Sequence, residues 1–239
     1  VGRFSLMFLC ALGVSAFADD LKITDSKLVF NGFGYFRGKA ESVDLATYGE
    51  KKTPIDKTNY LAKEANVARD NLGKVKVSIS GPYTINWSSY SDTDVKASIS
   101  YLTAAGGTAA FSRQAADSAK LKMVLFSIDG EGPLKNLLND YANAARTYLK
   151  DEGNDGRVTS AVWVVMEGTL AETVKKCGKV TGKGTDDGIR VSIDVKSCAG
   201  SKSTVDIPPR TTFAYGLHKV KNWDKTVVKN MEDDQPGMN

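Results

Sequence analysis

The chain has 239 residues, a formal net charge of +4 and 41% hydrophobic residues. That length suits one large domain or two small ones, with roughly 70% of the unfolded surface buried on folding. Its Lys and Arg residues are spread thinly and form no block, which argues against a nucleic-acid binder. No stretch beyond the N-terminal region approaches the roughly 20 apolar residues of a spanning helix.

The chain opens like a secretory leader. Arg3 supplies a positive start, Phe4 to Val14 is an apolar run broken by Ser5 and Gly13, and Ala16-Phe17-Ala18 is a small-x-small cleavage site followed by Asp19-Asp20. That order predicts a signal peptide over residues 1–18 and an exported product, periplasmic or secreted. Leu9 ahead of Cys10 argues against a lipoprotein attachment site. Two cysteines follow the leader, Cys177 and Cys198. An even count in an exported chain predicts a structural disulfide, with a loop closure of about 3 kcal/mol in the chain-entropy model.

Leu21 to Gly38 is strand-like and aromatic, carrying Phe30, Phe33, Tyr35 and Phe36 among glycines. The spacing of Gly32, Gly34 and Gly38 superficially matches a phosphate-binding loop. Bulky aromatics fill it and no helix follows, so a sheet edge or bulge is expected. Glu41 to Asp56 reads as a loop. Thr58 to Leu72 reads as a helix, with Gly73 at its C-terminus. Lys74 to Ser80 alternates Val75, Val77 and Ile79 against polar neighbours, which predicts a half-buried strand ended by Gly81-Pro82. Tyr83 to Tyr90 suggests a short strand carrying Trp87. Asp94 to Leu102 alternates again through Val95 and Ile99. Ala104 to Ala119 is alanine- and glycine-rich and reads as a loose helix or connector.

Leu121 to Ile128 is apolar on both faces, as a central strand is. Asp129-Gly130-Glu131-Gly132 makes a turn. Residues 133–150 then carry Leu134, Leu137, Leu138, Tyr141, Ala145, Tyr148 and Leu149 in one helical stripe, the best helix of the chain. Val158 to Met166 is a strong strand centred on Trp163, expected to pack near Leu137, Leu138 and Tyr141. Thr169 to Val174 is expected to continue as an edge strand. Cys177 to Gly188 is a Gly/Lys/Asp connection, and Ile189, Val191, Ile193 and Val195 alternate with polar residues. Pro208-Pro209 marks an edge and Thr211 to Val220 a last strand. Residues 222–239 read as a polar tail. The expected fold is α+β: one domain over 19–221, an antiparallel or mixed twisted sheet with packed helices.

Catalytic signals are sparse. His218 is the single histidine and sits in an alternating strand with no partner indicated by its neighbours. Asp186-Asp187, Asp129 and Glu131 lie beside glycines, where turn chemistry accounts for them. No nucleophile–base pair, metal spacing or cofactor motif emerges, so no enzymatic activity, metal or cofactor is expected.

From Ala119 to Lys221 the order of elements resembles the membrane-attacking domain of gasdermins, particularly the short bacterial ones. The matching pieces are the strand Leu121 to Ile128, the Leu- and Tyr-rich helix from Pro133 to Leu149, and the strand from Val158. The closing stretch Phe213-Ala214-Tyr215-Gly216-Leu217 is the nearest local match. The resemblance implies self-oligomerisation on membrane lipid, with parts of the sheet refolding into amphipathic hairpins that line a pore. Residues 74–102 and 157–196 would supply two such hairpins. Their lipid-facing residues would be Val75, Val77, Ile79, Val95, Ile99, Ile189, Val191, Ile193 and Val195. The alternative expectation is an exported α+β domain that binds a protein or glycan partner.

Overall fold

The structure is a computed structural model and describes residues 21–54, 58–86, 120–181, 191–195, 204–207 and 211–237. The leader, Val95, Ile99, Ile189 and Cys198 lie outside the described residues. The fold is α+β, a curled antiparallel sheet with a few helices.

The centre of the sheet is β8 (Gly156–Met166), an eleven-residue strand buried at every position. Its two faces need separate cover, and each has its own core. Val158, Val162 and Val164 pack in the larger cluster with Leu134, Leu137, Leu138 and Leu149. Ala161, Trp163 and Val165 belong to the smaller cluster on the other face, with Leu28, Tyr35, Met123 and Phe213. Trp163 therefore does not pack beside Leu137 and Leu138. Its neighbours are Phe30, Tyr35 and Tyr83, with ring centroids 5.1, 5.4 and 5.4 Å away. Alternation along a strand sends Trp163 and its flanking valines to opposite faces.

One edge of β8 is shared by β7 (Lys122–Ile128) and β4 (Thr47–Lys52); the other is lined by β12 (Thr212–Asp224). Beyond β7 lies β6 (Val77–Thr84), and beyond β4 lies β5 (Tyr60–Asn66). β12 in turn pairs with β3 (Phe33–Phe36) and with β13 (Val227–Asp234). β2 (Lys27–Phe30) and β1 (Leu21–Ile23) complete the curl on the side of β3. A separate three-stranded sheet holds β9 (Lys179–Val180), β10 (Val191–Asp194) and β11 (Thr204–Ile207).

Several sequence expectations change here. Thr58 to Leu72 is not one helix: β5 takes most of it, leaving only α1 (Arg69–Leu72). Pairing with β4 overrides the helical pattern, and Gly49 lets the two backbones close, since a Cβ there would sit 2.1 Å from the Ala62 carbonyl oxygen. β4 itself lies in the stretch expected to be a loop. Val43, Leu45, Ala46 and Tyr48 are core residues, and buried Thr47 donates to Asn66 Oδ1 at 2.6 Å. β6 runs through Gly81-Pro82 to Thr84, with a bulge between Ser80 and Tyr83. A proline is tolerated there because β6 pairs on one side only among the described residues.

The 133–150 helix is two helices, α2 (Glu131–Asn136) and α3 (Asn143–Asp151), joined by a π-helical turn over Leu137–Tyr141. The turn presents Asn139, whose amide donates to the Val228 carbonyl and accepts from the Val228 N–H at 3.0 and 2.9 Å. Arg146 takes the Asn139 carbonyl. Residues 168–177 form a helix, α4 (Gly168–Cys177), rather than an edge strand, with Ala171 and Val174 buried three residues apart. The expected tail is β13 and its approach, part of the sheet. Cys177 ends α4, and its expected partner Cys198 lies outside the described residues.

Candidate functional site

Two places in the fold carry the chemistry or geometry worth weighing. The first is the end of the sheet where four neighbouring strands finish together. Thr84 of β6 faces Lys122 of β7, Lys122 faces Met166 of β8, and Thr212 of β12 faces Val164 two positions below. The chain leaves this end twice and returns twice, through residues 85–121 and 167–211. The helical connection 129–155 lies at the opposite end.

Five of the expected hairpin residues pack in or against the core of this fold. Val75, Val77 and Ile79 are partly buried against the larger cluster, while Ile193 and Val195 are buried within it. Val191 begins β10. α4 joins these strands: Lys175 Nζ donates to the Ile79 carbonyl at 3.0 Å. At Gly178 a Cβ would stand 2.3 Å from the Val174 carbonyl oxygen, 2.9 Å from Ile193 Cγ2 and 3.0 Å from Ile79 Cδ1, so only glycine permits this approach. The alternating residues of β6 and β10 are thus brought to one place by α4.

The second place is a cleft of about 370 Å³ toward the other end of β8, walled by β3, β8, β12, β13 and the turn into α2. Pairing between β8 and β12 jumps from Gly216↔Ala161 to Leu217↔Thr159, which leaves Ser160 as an extra residue in a bulge. A bulge re-aims a side chain out of the strand's alternation. Here it turns the Ser160 hydroxyl to the His218 imidazole, with Oγ 2.8 Å from Nδ1. Across the ring, His218 Nε2 lies 2.9 Å from Asp233 Oδ1 on β13. Gly216 keeps the floor of the cleft low: a Cβ there would be 3.3 Å from the Ala161 Cβ and 3.4 Å from the Tyr35 ring.

The electrostatics are definite in direction. Burial holds the His218 imidazole below its ordinary value, outweighing the opposing pull of Asp233 and Glu131. A neutral ring beside a carboxylate keeps its proton on Nε2, facing Asp233, so Nδ1 is the acceptor for the Ser160 hydroxyl. The Ser160 hydroxyl's other contact, the Gly216 carbonyl, is long at 3.5 Å. Burial also pushes the Tyr35 phenol up to about 12. Glu131 is held below the usual carboxylate range, first by the Met231 N–H that it accepts at 2.8 Å.

Sequence reasoning named His218 and Glu131 but not Ser160 or Asp233. The serine is 58 residues from the histidine, and its orientation depends on a bulge that no local pattern announces. Among the described residues, no group of three or more His, Cys, Asp or Glu side chains is placed to hold a metal ion, and no helix is long and apolar enough to cross a membrane. No protein-family model, curated protein or solved structure matches the chain.

Proposed function

We propose that this is an exported membrane-active protein of the gasdermin-like, pore-forming kind, which self-associates on lipid. The observation that carries the reading is the shared end of β6, β7, β8 and β12. These are four consecutive antiparallel strands, and both long connections leave from the same end. Lengthening the β6/β7 and β8/β12 pairs in register would add to a sheet whose register already exists. A spanning strand needs about 9–11 residues, and residues 85–121 and 167–211 each exceed two such crossings. A lipid-embedded sheet must close to satisfy its backbone. Four strands from one chain are too few, so several chains are required. The side chains of Val77, Ile79 and Ile193 would first have to leave the core, which puts the displacement of α4 at the start of the change.

Two further features accompany this reading. Cleavage after Ala18 would export the chain. A Cys177–Cys198 disulfide would tie the end of α4 to the strand it precedes: β9, directly after Cys177, pairs with β10 through Ile193↔Val180, and β10 ends at Asp194.

The test is dye release from vesicles of phosphatidylcholine alone and of phosphatidylcholine with phosphatidylglycerol, using the chain from Asp19 onward. Release rising more steeply than protein concentration, with cross-linkable oligomers in the vesicle fraction, is the expected result. Vesicles of both kinds that remain sealed would end the pore reading and leave the alternative, a domain that binds a protein or glycan partner.

A further inference from the structure

We propose that Ser160 is an acyl-accepting nucleophile, with His218 as its general base and Asp233 as the residue that positions the imidazole, in a cleft that takes uncharged short-chain esters or thioesters. This rests on different residues from the pore reading, at the other end of the sheet, and stands without it. The three side chains come from three adjacent strands, β8, β12 and β13, and make the nucleophile–base–orienter chain that acyl transfer uses. The serine meets the ring at Nδ1 and the carboxylate at Nε2. Either nitrogen can take a proton once the other is committed to the carboxylate, so the chain of roles is intact.

The surroundings define the ligand. The cleft volume of about 370 Å³ lies at the small end of ligand pockets, which run from roughly 300 to 1,000 Å³. Phe33, Tyr35 and Met231 give it apolar wall, and among the described residues no Lys or Arg lines it. Asp129, Glu131, Glu232 and Asp233 surround the same space, so an anionic phosphoester would be repelled. Asp129 and Glu232 have their own lysine partners, Lys76 and Lys219. That leaves a site suited to a neutral acyl group.

In the proposed reaction, the Ser160 hydroxyl passes its proton to His218 Nδ1 as Oγ bonds the carbonyl carbon of the ester. The carbon–oxygen bond to the alcohol then breaks, and the alcohol leaves with the proton His218 holds. Water, losing a proton to the same nitrogen, attacks the acyl-serine. The acid departs as that proton returns to Ser160 Oγ. No oxidant, reductant or cofactor enters the balance.

The test is labelling of the folded chain with a fluorophosphonate probe, with the adduct mapped by mass spectrometry, alongside hydrolysis of p-nitrophenyl acetate and butyrate. The adduct is expected on Ser160. His218→Gln should slow labelling by about 10²-fold or more, the usual contribution of a general base. The charges acting on the ring are Asp233 from β13 and Glu131 at the start of α2; Asp129, Glu232 and Tyr35 line the same cleft. Removing the Asp233 charge in Asp233→Asn should move the midpoint of the labelling–pH curve to lower pH, which a purely structural residue would not do. Ser160→Cys gives a second reading: iodoacetamide should alkylate it faster than it alkylates the Ser160→Cys, His218→Gln double variant. A folded wild-type chain that takes no adduct at Ser160, or one labelled equally fast without His218, overturns the proposal.

Discussion

Lys51, Arg157 and Asp234 are each about nine-tenths buried and meet in one ionic cluster. Asp234 Oδ1 is 2.8 Å from Lys51 Nζ, and Oδ2 is 2.5 Å from Arg157 Nε. The three residues come from β4, β8 and the last position of β13, so a single carboxylate fastens the C-terminal strand to the centre of the sheet. Removing one partner of a buried pair leaves an uncompensated charge, which costs about 3–5 kcal/mol. Asp234→Ala strands two cations and should reach that range in urea unfolding. A loss below about 1 kcal/mol would show that the C-terminal hairpin is not anchored there. Nothing near Asp234 in the sequence announces this role. It stands at the end of an acidic stretch that reads as a solvated tail, and its partners are 183 and 77 residues away. His218 was unreadable for the same reason: its partners lie on other strands.

At the scale of elements, β8 shows what periodicity can and cannot convey. A segment apolar on both faces announces a strand covered on both faces, and β8 is buried at every position. Which neighbour covers which face is a matter of packing. Trp163 stands in an aromatic box of Phe30, Tyr35 and Tyr83 rather than against α2 and the π-helical turn. Trp163→Ala should cost about 3–5 kcal/mol, measured by denaturant unfolding, and a loss under about 1 kcal/mol would contradict its burial. The expected edge strand over Thr169 to Val174 is instead part of α4, although Thr169, Thr173 and Val174 are β-branched. Leu170, Ala171 and Val174 nevertheless share one helical face, with Ala171 and Val174 buried. The proposed bond from the end of this helix to Cys198 is checked by alkylating the non-reduced exported protein. The intact mass should show cleavage after Ala18 and no thiol at Cys177 or Cys198; two alkylated thiols would sink the pairing.

Taken whole, the molecule separates two regions along one sheet. The four strand ends proposed to extend lie at one end, and the Ser160–His218–Asp233 cleft lies toward the other, closed in by β13. Because β13 supplies Asp233 and Asp234 and pairs with β12 from Leu217 to Asp224, a chain ending at Val220 would lose a sheet strand and a counter-ion. It would not be the intact protein freed of a tail, so membrane tests belong to the full C-terminus. The α+β class and the strands at β7, β8 and the first part of β12 were determined by the sequence alone, since long or two-sided apolar runs carry their own burial signal. Tertiary structure alone decided that residues 60–66 pair as β5, that 168–177 coil as α4, that the C-terminus returns as β13, and that Ser160 meets His218. The physical reason is common to all four. Local propensities in short segments differ by only a few tenths of a kcal/mol per residue. Pairing and burial against residues distant in the chain outweigh them, and a pattern read along the chain does not contain those distant partners.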